Sequence, residues 1–94
     1  MFVKPGPNVI QSDEGFSVEV LGFTKGLLYT EGPKTLHIES EMSVGPAGLV
    51  IYPSSIKSWD PLYDNEVIDE AKRATIVDNV RRAFRFEGFE IDVL

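Results

Sequence analysis

Asp69-Glu70-Ala71-Lys72-Arg73-Ala74-Thr75-Ile76-Val77-Asp78-Asn79-Val80-Arg81-Arg82-Ala83-Phe84-Arg85-Phe86-Glu87-Gly88 is the stretch that decides the fold. Ile76, Val77, Val80, Ala83 and Phe84 recur at spacings of one, three and four, which puts them on one face of a helix. Asp69 suits the N-cap, where a short carboxylate accepts from the orphan amides of the first turn. Glu70 complements the positive end of the helix dipole, and Arg82 and Arg85 complement the negative end. Asp78 and Arg82 stand at i,i+4 and are expected to pair. Gly88 fits the left-handed position that ends a helix. The spacing therefore predicts a helix over 69–87, with Phe86 outside the stripe and partly exposed.

Strand patterns surround this helix. After it, Phe89, Ile91 and Val93 alternate with Glu90 and Asp92, so a final strand is expected. Before it, Phe16, Val18 and Val20 alternate with polar residues, the period of a half-buried strand. Leu27–Thr30 and Thr35–Ser40 flank Glu31-Gly32-Pro33-Lys34, which reads as a hairpin turn. Leu36 and Ile38 point to one side of that hairpin, His37 and Glu39 to the other. Asn8–Gln11 is expected to form a short edge strand behind the stiff Pro5-Gly6-Pro7. Val44–Gly48 reads as a second turn. Leu49–Tyr52 is apolar enough for a central strand, closed by Pro53. The fold class is α+β: a mostly antiparallel sheet, one helix from the C-terminal half packed on one face, and a final strand.

The chain has 94 residues, the size of a single domain spanning 1–94. It contains no cysteine, which excludes disulfides and thiolate metal sites. An apolar leader and a membrane-length apolar run are absent, so a cytoplasmic protein is expected. Net charge is −6, unfavourable for nucleic-acid binding, which depends on Lys and Arg. Metal and cofactor patterns are also missing. The single histidine, His37, reads as a solvated strand residue. Asp60, Asp64 and Glu66 do not have EF-hand spacing, and Pro61 interrupts them. Glu39 and Glu41 share a strand face without a recognisable catalytic partner. No enzyme activity is expected.

One segment concentrates charge and aromatics. Residues 58–70 carry Asp60, Asp64, Glu66, Asp69 and Glu70 with no Lys or Arg, beside Trp59 and Tyr63. Tryptophan and tyrosine dominate binding hot spots, and carboxylates around them steer a basic partner. Trp59, Asp60, Tyr63, Asp64 and Glu66 are therefore the candidate partner-binding residues. Trp59 has two readings, an interface anchor or a cap on the core between sheet and helix.

Leu28-Tyr29-Thr30-Glu31-Gly32, Leu36-His37-Ile38-Glu39-Ser40-Glu41, Ser55-Ile56-Lys57-Ser58-Trp59-Asp60-Pro61, Ile68-Asp69-Glu70 and Arg81-Arg82-Ala83-Phe84 together resemble the bacterial immunity protein 74 family. The resemblance runs from about Gly26 to Leu94. It implies a small α+β protein of polymorphic toxin systems that binds and neutralises a cognate toxin. The alternative is a small non-catalytic structural or regulatory subunit, such as a homodimer.

Overall fold

The computed structural model describes residues 1–22, 25–42 and 48–94. Five strands follow one another: β1 (Phe2–Gly6), β2 (Val9–Ser12), β3 (Phe16–Gly22), β4 (Gly26–Glu31) and β5 (Lys34–Ile38). They form one antiparallel meander in chain order. A second sheet contains β6 (Ser40–Met42), β7 (Leu49–Ile51) and β8 (Asp92–Val93), with β7 in the centre. β8 runs parallel to β7, as the return of a helical crossover allows. The helix α1 (Glu70–Phe86) lies between the loop after β7 and β8. The architecture is α+β.

The expected helix forms with its cap in place. Asp69 Oδ1 accepts from the Lys72 amide at 2.8 Å. Gly88 takes a φ of +86°, and the Phe89 amide donates to the Phe84 carbonyl at 2.9 Å, closing the last turn. Ile76, Val80, Ala83 and Phe84 are buried against Ile10, Phe16, Val18, Leu27, Tyr29 and Leu36 of the sheet. Val77 sits at the margin of this core.

Three readings need correction. Val9–Ser12 is not an edge: β1 pairs outside it, with Phe2 opposite Ser12 and Val3 opposite Gln11. A proline lacks only its own amide donor, so Pro5 is tolerated on an edge strand, and there it also blunts the free edge. Arg82 does not pair with Asp78. Its guanidinium reaches across to Glu14 in a forked contact of 2.5–3.1 Å and lies 5.8 Å from the rings of both Phe2 and Phe16. The planar fork and the apolar rings explain the preference, since an exposed i,i+4 pair offers neither. The last strand is shorter than the alternation implied, with Ile91 buried and Phe89 57% exposed. The turn over Val44–Gly48 falls outside the described residues, Gly48 apart.

The hairpin joining β4 and β5 forms as expected, with Glu31 opposite Lys34 across Gly32-Pro33. At its other end Gly26 has a φ of +77°, and a Cβ there would stand 2.3 Å from the Ile38 carbonyl oxygen. Only glycine allows that approach.

Candidate functional site

The chain leaves β7 through a short turn and crosses the open edge of β5 before entering α1. Ile56, Trp59 and Ile68 are buried and hold this crossing segment to the core. Trp59 stacks on Tyr29, ring centroids 6.3 Å apart. The next residue turns the other way. The Asp60 amide donates to the Thr35 carbonyl at 2.7 Å, and the Asp60 carboxylate accepts from the Thr35 hydroxyl at 3.1 Å. His37 Nδ1 stands 3.3 Å from the same carboxylate. The segment thus straddles the edge strand, Trp59 inside and Asp60 outside, and occupies part of an edge that could otherwise recruit another strand.

Beyond Asp60 the chain bulges outward and returns. Ser58 and Val67 form an antiparallel bridge at its neck. Within it, the Tyr63 amide donates to the Asp60 carbonyl and the Glu66 amide to the Tyr63 carbonyl, both at 3.0 Å. These bonds give the loop a definite shape, which lowers the ordering cost of binding.

The loop's charge is partly compensated from another element. Lys34 on β5 reaches Glu66 at 2.5 Å and lies 5.6 Å from the Trp59 ring and 5.9 Å from the Tyr63 ring. No cation was expected here from the local sequence, and that expectation is corrected, because Lys34 is adjacent only in the folded chain. Among the described residues Asp64 has no ion-pair partner, and Glu70, 97% exposed, has only Arg73 at 3.8 Å. The segment therefore keeps outward-facing carboxylates at Asp64 and Glu70, while Glu66 is exposed but held by Lys34.

Of the candidate residues, Trp59 is 3% exposed and belongs to the core, which leaves Tyr63 as the aromatic candidate on this loop. Tyr63 is half-buried against the core, with Lys34 over its ring. Two further residues escaped the sequence reading. Leu62 is 89% exposed and Val67 85% exposed, on either side of Tyr63, Asp64 and Glu66. The available signal was their place in a segment with neither helical nor strand period, where nothing directs an apolar side chain inward.

A polar network lies beneath the loop. The Tyr29 hydroxyl donates to Glu31 at 2.7 Å and accepts from the Asn79 amide at 3.0 Å. Lys72 reaches the other Glu31 oxygen at 2.6 Å. Burial pushes the Tyr29 phenol above its ordinary range, reinforced by the neighbouring carboxylate. Burial also pushes Glu31 upward, but the hydrogen bonds from Lys72 and Tyr29 outweigh it and hold this carboxyl below its ordinary 4.5. The network fixes α1 to β4 and so positions the loop leading into the helix.

Other candidate chemistry is dispersed. Among the described residues no three His, Cys, Asp or Glu side chains come together as metal ligands. His37, Glu39 and Glu41 are exposed. No helix among the described residues is long and apolar enough to cross a membrane. An open groove of about 450 Å³ lies along α1 between Val77 and Pro53, with Arg73, Arg81, Glu70 and Asp78 around it.

The family model described as immunity protein 74 matches residues 22–94. That span covers everything from the end of β3 onward, including the hairpin, the loop and the helix. No curated protein and no solved structure matches the chain.

Proposed function

The chain belongs to the immunity protein 74 family, and we propose that it binds and neutralises a cognate bacterial toxin by occlusion, without chemistry of its own. The observation that carries this reading is the exposed pair Leu62 and Val67 on a hydrogen-bonded loop that also presents Tyr63, Asp64 and Glu66. Exposed apolar side chains beside outward carboxylates fit a partner with an apolar pocket in a basic surface. The apolar groups supply contact area. The carboxylates raise the encounter rate and orient the partner. Trp59 acts from below, as the buried support that keeps Tyr63 and its neighbours in position.

Inhibition by occlusion needs only shape, charge and a slow off-rate. An exposed lone imidazole whose Nδ1 stands 3.3 Å from the Asp60 carboxylate is in keeping with a binder. The test is co-expression with the product of an adjoining reading frame. Tagged protein should co-purify with that product and relieve its toxicity, and the association rate should fall as salt rises, because screening shortens the reach of the carboxylates. Failure to bind or protect would refute the immunity reading. Binding at a salt-independent rate would leave the reading intact and move the contact away from the acidic loop. The polar face bearing His37, Glu39 and Glu41 would then be the next surface to test.

A further inference from the structure

The far end of α1 carries a second exposed surface of a different kind. Phe86 is 49% exposed, with its ring 5.7 Å from Phe2, and Phe89 is 57% exposed just past the helix. Phe89 also walls a groove of about 210 Å³ that Ile10, Val20 and Phe84 line with apolar atoms. The seventeen-residue helix separates these aromatics from the acidic loop by about 25 Å.

Charge around the aromatics is balanced. Lys4 pairs with Glu87 at 2.7 Å, Arg85 with Glu90 at 3.2 Å and Arg82 with Glu14 at 2.5 Å. Each cation has a carboxylate on the same surface, unlike the outward carboxylates of the loop. The whole chain carries −6, so two copies repel at most approaches. They approach with least repulsion where both signs are present. A surface that carries both signs, each cation already paired within its own chain, can also face a copy of itself, as an isologous contact requires.

We propose that this surface binds a second copy of the chain, with Phe89 of each copy seated in the groove of the other and Phe86 packed beside it. The proposal does not depend on the toxin reading, because it uses the opposite end of the helix. The contact is small beside the roughly 800 Å² per partner of a standard interface, so the dimer is weak and forms at high protein concentration.

Sedimentation equilibrium over a hundredfold concentration range tests it. A monomer–dimer equilibrium is expected that tightens as salt rises, since screening relieves the repulsion between two acidic bodies. This sign is opposite to that expected for toxin association. Replacing both Phe86→Ser and Phe89→Ser should weaken the dimer by about tenfold or more. Phe89→Ser alone, which leaves the Phe2–Phe86 contact intact, should weaken it in the same direction without changing the melting temperature. A monomer at every concentration would overturn the proposal. So would a dimer that loosens with salt, or one unchanged by Phe89→Ser.

Discussion

The acidic loop and the opposite end of the helix carry similar residues, aromatics among charged side chains, and use them differently. At the helix end, Lys4, Arg82 and Arg85 each meet a carboxylate, and Arg82 is also held between Phe2 and Phe16. Charge there joins one element to another. On the loop, Lys34 meets Glu66, but Asp64 and Glu70 point outward beside Leu62 and Val67. The fold gains little from carboxylates so placed, and a partner can gain from them. Pairing, more than the number of charges, separates a fastening surface from the one we propose for recognition.

The contrast is broken most severely by changes beneath both regions. Val80→Asp buries an unpaired charge at a fully enclosed position and should leave no cooperative thermal transition by circular dichroism. Phe84→Ala and Trp59→Ala should each cost about 3–5 kcal/mol in urea unfolding, as large aromatic truncations in a core do. A Trp59→Ala protein of parental stability would show that the loop is not anchored through its tryptophan. Arg82→Ala should cost about 1 kcal/mol, since its forked contact is half-exposed. Asp64→Asn should leave the urea midpoint unchanged. If Asp64→Asn destabilised as much as Arg82→Ala, the difference between fastening and recognition charges would disappear.

The smallest effect concerns acid. Glu31 is held below 4.5 in the folded chain by Lys72 and Tyr29 despite its burial. Unfolding returns it to its ordinary value, so as pH falls the unfolded chain takes up the proton first. The contribution is fully present above 4.5 and is lost as pH falls through the folded value. The parent should therefore lose melting temperature between about pH 5 and pH 3 more steeply than Glu31→Gln.

The helix was legible because its signals are local. The 3.6 period, Asp69 at the start and Gly88 at the end all lie within one stretch, and the alternation of β3 and the hairpin turn were equally local. What escaped depended on neighbours brought together by folding. Arg82 preferred Glu14, distant in sequence, to Asp78 one turn away. Lys34 compensated Glu66 from another strand. Pro5-Gly6-Pro7 reads as a stiff lead-in to the strand at Asn8–Gln11, although an edge strand tolerates missing donors, and the pairing of Phe2–Gly6 outside that strand has no local signal. The candidate surface was legible through its acidic residues and aromatics. Its exposed Leu62 and Val67 were not, because sequence alone does not say which way an aperiodic segment turns its apolar side chains.

We propose the loop bearing Tyr63, Asp64 and Glu66 as the partner-binding surface. Binding kinetics against the product of an adjoining reading frame test it most directly. The Asp64→Asn, Glu66→Gln double variant should associate more slowly than the parent and lose much of its salt dependence, with little change in off-rate. Tyr63→Ala should mainly raise the off-rate, by the equivalent of about 2 kcal/mol. Parental rates in both variants, at low and high salt alike, would contradict the account and place the interface elsewhere on the molecule.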